Sequence, residues 1–156
     1  MNQSRRKLLH ASAGATLMTL TASLSIFKFG NLHAEEWNKA AFDTKSLQDT
    51  VKAFGGGTAV ESKEITITSP DIAENGAVVP VAVSSKLGKT ESISILVEKN
   101  PNALSAVFEI PVGTDPFVST RVKMGQTSNV YALVKADGKY FFAAKEIKVT
   151  LGGCGG

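Results

Sequence analysis

The sequence predicts an all-β protein, an immunoglobulin-like antiparallel β-sandwich of about seven strands preceded by an amino-terminal helix. Three observations support this prediction. A helical hydrophobic pattern ends at Gly55-Gly56-Gly57. From Glu64 onward the hydrophobic period changes to two, and turn-forming residues separate the alternating segments over roughly 90 residues. A partly open barrel is the main alternative architecture.

The predicted helix covers residues 35–54. Leu47, Val51 and Phe54 recur at helical spacing, and Asp43 is placed to cap a second helical piece. The triglycine that follows ends the helix. It could also be interpreted as a phosphate-binding loop, but such loops follow a strand and open a helix. A helix stop is therefore the better interpretation.

Seven segments are predicted as strands because apolar and polar residues alternate along them, which buries one face of a sheet. The sixth is an exception, since it is apolar on both faces. Asp137-Gly138 predicts a two-residue hairpin between the sixth and seventh segments. The cysteine pair of antibody domains is missing, so only the architecture is predicted. In chain order the segments are residues 64–68, 79–83, 92–98, 104–110, 118–124, 130–136 and 140–151.

Residues 1–34 are predicted to be a signal peptide of twin-arginine type. Arg5-Arg6 precedes an apolar run, residues 11–29, that contains no acidic residue. Leu32-His33-Ala34 offers a cleavage site, so we expect the exported chain to begin at Glu35. A membrane anchor is the alternative, but the run is only weakly hydrophobic for a spanning helix. We therefore expect the mature form, a helix plus β-sandwich domain over residues 35–151 and an arm over residues 152–156, to be periplasmic without a membrane segment.

Charge and composition exclude several functions. Removing residues 1–34 takes away Arg5, Arg6, Lys7 and Lys28 and no acid, which leaves 13 basic against 14 acidic residues. This balance gives no reason to expect nucleic acid as a partner. Both histidines, at positions 10 and 33, are lost as well. A Ser-His-Asp triad, a Cys-His pair and a zinc site of His and Cys ligands are then excluded, and we expect no catalytic residue, no cofactor and no metal.

The candidate functional residue is Cys154, the only cysteine of the chain. Gly152, Gly153, Gly155 and Gly156 surround it and supply no packing surface, whereas thiols in cores lie among apolar neighbours. The segment therefore predicts a thiol on a flexible arm. About four extended residues from Thr150 to Cys154 span roughly 13 Å, enough to carry the sulfur into a narrow pocket of another protein.

Two other interpretations of Cys154 stay open on residue grounds. A frayed terminus tolerates an incidental cysteine, and an exported binding or structural subunit could use it for an intermolecular disulfide. An independent enzyme has little support, because no carboxylate pair is evident either. A free cysteine is mostly protonated near pH 7, so activation of the thiol has to come from whatever site the arm enters.

The terminal stretch Val149-Thr150-Leu151-Gly152-Gly153-Cys154-Gly155-Gly156 resembles the end of the SoxY family, sulfur-carrier subunits of the periplasmic thiosulfate-oxidising system. Two internal stretches are similar to that family as well. The first is residues 70–76, which read Pro-Asp-Ile-Ala-Glu-Asn-Gly, followed by Val78-Val79-Pro80-Val81, and the second is residues 116–124, which read Pro-Phe-Val-Ser-Thr-Arg-Val-Lys-Met. The resemblance covers essentially the whole exported chain.

The resemblance implies a carrier without enzymatic activity of its own, which holds sulfur intermediates on Cys154. It implies a heterodimer with a SoxZ-like immunoglobulin-like subunit that leaves the cytoplasm bound to this chain. It also implies transient contacts with three enzymes: SoxAX, which conjugates thiosulfate to the thiol; SoxB, which releases sulfate; and SoxCD, which oxidises the remaining sulfur in organisms that have it.

Overall fold

The computed structural model describes residues 38–150. Within that range two short helices precede nine strands. The helices are α1 (Lys39–Phe42) and α2 (Leu47–Ala53), and one turn of 3₁₀ helix covers Gly76–Val78. The strands are β1 (Ala59–Glu61), β2 (Ile65–Thr68), β3 (Ile72–Ala73), β4 (Val79–Ser85), β5 (Thr90–Val97), β6 (Leu104–Glu109), β7 (Phe117–Val122), β8 (Ser128–Ala136) and β9 (Lys139–Val149).

The strands form two sheets. The larger has the order β1-β9-β8-β5-β6, with β3 paired to a later part of β9, and the smaller has the order β2-β4-β7. All seven predicted strands are present, as β2 and β4 to β9, and the β-sandwich is confirmed. The sequence did not predict β1 and β3. Both pair with β9 in parallel, so the sandwich is not purely antiparallel.

The main core lies between the two sheets. Along β4 the side chains of Val79, Val81 and Val83 are fully buried, whereas the residues between them are exposed or half-buried. Ile93 and Ile95 of β5 belong to the same core cluster. Full burial of each such side chain contributes about 1.5–3 kcal/mol to folding. The period-two pattern in the sequence is thus the pattern of side chains that face the opposite sheet.

A second cluster covers the outer face of the larger sheet. Ala41 and Val51 of the two helices pack there with Leu96, Leu133 and Tyr140. The helices therefore form a third layer. This layer explains why β8 is apolar on both faces: one face meets the smaller sheet and the other meets the helices.

The prediction that Asp43 caps the second helical piece is wrong, since Ser46 does so. The Ser46 hydroxyl accepts a hydrogen bond from the Asp49 N–H at 3.1 Å, and Ser46 has the extended backbone that an N-cap requires. Asp43 instead ends α1, because its own N–H donates to the carbonyl of Lys39 at 3.1 Å. Asp43 is thereby part of the closing turn of α1.

Two predicted turns are confirmed. Gly55 has a φ of 78°, and the N–H groups of Gly55 and Gly56 donate to the carbonyls of Lys52 and Val51 at 2.9 and 2.8 Å. These two bonds form a Schellman motif, which ends α2. Between β8 and β9, Asp137 and Gly138 have φ values of 50° and 72°, as a type I′ hairpin turn requires.

Candidate attachment site

The predicted site residues Cys154, Gly152, Gly153, Gly155 and Gly156 lie outside the described residues. So does the predicted signal peptide, residues 1–34. The last described residue is Thr150, four positions before the cysteine. What the structure does show is how the chain is held where it leaves the sandwich. We call Val149 and Thr150 the arm base.

One side of the arm base is held by β3. Ile72 and Ala73 pair in parallel with Lys148 and Val149. The Lys148 N–H donates to the carbonyl of Asp71 at 2.9 Å, and the Thr150 N–H donates to the carbonyl of Ala73 at 3.1 Å. The sheet hydrogen bonding therefore continues to the last described residue.

The other side is held by the loop before β8. The Val149 N–H donates to the hydroxyl of Thr127 at 3.0 Å. On the β3 side, the hydroxyl of Thr150 also donates to the carbonyl of Glu74, the residue after β3, at 3.4 Å. Contacts from two directions leave the backbone of the arm base with little freedom to change direction.

Gly76 is the tightest packing point beside the arm base. A Cβ atom there would lie 2.3 Å from the carbonyl oxygen of Met124 and 2.9 Å from Cγ1 of Val149. The Gly76 carbonyl in turn accepts a hydrogen bond from the Met124 N–H at 2.7 Å. Only glycine allows the 3₁₀ turn to come this close to the loop after β7.

An ion pair ties β9 to the start of β3. Nζ of Lys145 lies 2.9 Å from a carboxylate oxygen of Asp71 and also donates to the carbonyl of Ser69. The Asp71 side chain is 88% exposed, so the pair itself contributes little to stability. These two contacts place the Lys145 side chain over the residues that lead into β3.

Three apolar residues beside the arm base are exposed, among charged and polar neighbours such as Asp71 and Glu74. Ile72 is 56% exposed and Val78 is 51% exposed, although both are large aliphatic residues. Ala77 between the two segments is exposed as well. We call Ile72, Ala77 and Val78 the apolar patch. Ile72 is paired with β9, and Val78 lies two residues after the glycine that touches Val149.

Sequence reasoning did not identify β3 or the packing role of Gly76. Residues 69–71 and 74–76, on either side of Ile72-Ala73, have the composition of turns, and two apolar residues are too few to show a strand period. The available signal was an apolar pair between two turn clusters that is similar to the SoxY family in residues 70–76. It marked the segment but not its contact with β9.

A cleft lies at the other end of the sandwich from the arm base. Its volume is about 700 Å³, and it is lined by the β4–β5 turn, the loop before β7 and the β8–β9 hairpin.

Across residues 38–150, no three His, Cys, Asp or Glu side chains are grouped as metal ligands would be. In the same range no helix is long and apolar enough to cross a membrane. The expected absence of a cofactor stays a prediction.

Comparison with known proteins gives a specific match. The sequence model of the family described as sulfur oxidation protein SoxY matches residues 50–154, a range that includes Cys154. The solved structure of the sulfur carrier protein SoxY from Chlorobium limicola f thiosulfatophilum is 39% identical to this chain, with a TM-score of 0.61. The matched part covers 67% of this chain and 96% of that one. No curated protein matches the chain.

A weaker likeness is to the superoxide reductase (neelaredoxin) from Ignicoccus hospitalis. It is 21% identical with a TM-score of 0.48, over 55% of this chain and 80% of that one. At this level of likeness nothing follows for the present chain.

Proposed function

The chain belongs to the SoxY family of sulfur oxidation proteins, and on that premise we propose that it carries sulfur covalently on Cys154. The proposal rests on the range of the family match, residues 50–154, which includes the single cysteine of the chain. The thiol is the only strongly nucleophilic sulfur in the sequence, and the glycines around it have no side chains that could hinder access to it.

The proposed chemistry takes place on the cysteine sulfur. In loading, the thiol loses its proton and forms an S–S bond with the outer sulfur of thiosulfate, and an acceptor in the loading enzyme takes up two electrons. In the following hydrolysis, water supplies an oxygen to the sulfonate sulfur, sulfate leaves and a perthiol stays on Cys154. The carrier provides the attachment atom, and the partner enzymes provide the acids, bases and redox centres.

The described structure supports this division of labour. The arm base is held by β3, Thr127 and the packing at Gly76, so the rigid body ends close to Cys154. Three residues then lie between Thr150, the fixed origin, and Cys154. A short tether on a rigid origin confines the sulfur to a small volume, which raises its local concentration at a docked enzyme.

Membership of the family also supports a proposal about the cellular location and the partners of the carrier. We infer that the chain works in the periplasm after export by the twin-arginine pathway, as a heterodimer with a SoxZ-like subunit. SoxAX and SoxB, and SoxCD where an organism has it, would act on the loaded arm in turn. We infer no nucleic acid partner and no enzymatic activity of the chain itself.

Replacement of the thiol tests the proposal. Cys154→Ser keeps the size of the side chain but removes the sulfur, and we expect a strain that carries it to lose thiosulfate oxidation. Far-UV circular dichroism and the amount of folded protein should match the wild type. Normal thiosulfate oxidation by the Cys154→Ser strain would overturn the proposal.

Non-reducing electrophoresis distinguishes the carrier from a subunit tethered by a disulfide. During thiosulfate turnover we expect bands that migrate as the free chain. A stoichiometric disulfide-linked dimer that persists throughout turnover would show that Cys154 is a tether.

A further inference from the structure

We propose that the apolar patch of Ile72, Ala77 and Val78 is the docking surface on which partner enzymes place the entrance of their sulfur-binding pocket. The proposal rests on the proposed function of Cys154. It identifies the surface of the folded domain that each enzyme has to contact. It also requires that apolar side chains border the entrance of the enzyme's pocket.

The length of the arm is the first step of the argument. From Thr150 to Cys154 the extended chain spans roughly 13 Å. An enzyme that encloses the cysteine in a pocket must therefore approach the body of the carrier to within that distance. Its entrance then covers the surface from which the arm leaves.

The position of the patch is the second step. Ile72 pairs with Lys148, two residues before Thr150, and neighbouring strands lie about 4.8 Å apart. Gly76 approaches Val149, and Val78 follows two residues later. All three patch residues lie within the reach of the arm, beside its origin.

The chemistry of the patch is the third step. Ile72 and Val78 are each more than half exposed, and both are branched aliphatic residues that gain from leaving water. A lasting partner on this surface, such as a second copy of the chain, would cover the origin of the arm and restrict Cys154. The patch therefore suits a partner that binds briefly and releases, for which a small apolar contact is sufficient.

The chain offers a matched control in Val60. It is 59% exposed, compared with 56% for Ile72, and it also lies on a short strand paired in parallel with β9. It pairs with Phe141, whereas Ile72 pairs with Lys148 near the other end of the strand. The two positions differ mainly in their distance from the arm base.

The experiment compares wild type, Ile72→Glu and Val60→Glu as full exported chains with any co-purifying subunit. Each is incubated with thiosulfate and periplasmic extract from thiosulfate-grown cells that lack this chain. The rate of thiosulfonate formation on Cys154 is followed by intact mass at increasing carrier concentration. We expect Ile72→Glu to raise the apparent KM about tenfold with kcat within about twofold, and Val60→Glu to change neither by more than about twofold.

The rate of Cys154 alkylation by iodoacetamide separates docking from damage to the arm. We expect the same rate for all three proteins, because this small reagent needs no docking surface. Should Ile72→Glu fail to fold, Val78→Glu is compared with Val60→Glu in the same way.

Several results would overturn the proposal. The first is an equal KM for Ile72→Glu and Val60→Glu, and the second is a slower alkylation of Ile72→Glu. The third is loss of self-association in Ile72→Glu by sedimentation with unchanged loading, which would assign the patch to a second copy. The fourth is loss of the co-purifying subunit from Ile72→Glu alone, which would assign the patch to that subunit. Absence of loading on the wild type itself would instead refute the proposed carrier function. The two failures are therefore distinguishable.

Discussion

At Gly76 a single missing methyl group allows the 3₁₀ turn, the loop after β7 and the end of β9 to meet. A Cβ atom would be 2.3 Å from a backbone oxygen that cannot rotate away, and 2.9 Å from Val149. Backbone would have to move, and it would move beside the arm base. Gly76 is thus required for close packing beside the arm base, which leads to Cys154.

We predict that Gly76→Ala lowers the free energy of unfolding by about 2 kcal/mol, because overpacking of this kind forces a backbone shift. Urea denaturation measures the change. Gly88→Ala is the control, since a Cβ atom at Gly88 would meet nothing within 4 Å and its φ is not positive. Equal midpoints for the two variants would contradict the packing requirement.

At the scale of single residues the sequence was informative about chemistry and uninformative about contacts. Cys154 could be identified because its glycine neighbours are unusual at any cysteine. The role of Gly76 could not, because it depends on Met124 and Val149, which are distant in the sequence. Ser46 and Asp43 are both suitable caps by residue type, and only the backbone at each position decided between them.

At the scale of elements, the β8–β9 hairpin shows how local charge supports a turn. The carboxylate of Glu91 on β5 accepts a hydrogen bond from the Gly138 N–H at 2.7 Å and lies 2.7 Å from Nζ of Lys135. The hydrogen bond from Lys135 is the main cause that lowers the pKa of Glu91, and the same bond raises the pKa of Lys135. The pair connects β5 and β8 beneath the turn.

We predict that Glu91→Gln flattens the acid side of the stability profile. Because the pKa of Glu91 is lower in the folded state, its contribution is present above the pKa of an unfolded glutamate, about 4.3, and is lost as the pH falls through the folded value. Urea midpoints measured between about pH 2 and pH 7 test this. Lys135→Met should flatten the same limb, and an unchanged acid slope in both variants would contradict the assignment.

The elements found from the sequence were those with a repeated period. Of the seven strands with four or more residues, six show alternation and β8 is a longer apolar run. The Asp137-Gly138 turn between β8 and β9 is specified by residue type. The two strands that were missed have three and two residues, and they form only because β9 is long enough to offer them an edge. Their existence depends on β9 and not on their own sequence.

At the scale of the whole molecule, the helices complete a three-layer arrangement. They cover the outer face of the larger sheet through Ala41 and Val51, and the ring of Tyr140 stacks on Phe54 with centroids 6.4 Å apart. The hydroxyl of Tyr140 also donates to the carbonyl of Phe54 at 3.2 Å. The sequence predicted a helix and a strand apolar on both faces, but it did not show that one covers the other.

We predict that Val51→Ala lowers the free energy of unfolding by about 2 kcal/mol and the Tm by roughly 8 °C, because it opens a cavity under the helical layer. Calorimetry should still show one transition if the three layers unfold together. Val60→Ala, at a position 59% exposed, should stay within about 0.5 kcal/mol of wild type. A loss of the same size at both positions would contradict the third layer.

Residues 38–150 therefore form a sandwich whose last strand is held by hydrogen bonds up to the arm base, and the sequence continues from there to Cys154. Intact-mass spectrometry of the exported chain, taken from cells oxidising thiosulfate, tests the carrier function most directly. We predict species heavier than the free thiol by sulfane and thiosulfonate groups, assigned to Cys154 by fragmentation and removed by a reductant. Only free thiol or a plain protein disulfide, under conditions in which thiosulfate is being consumed, would contradict it.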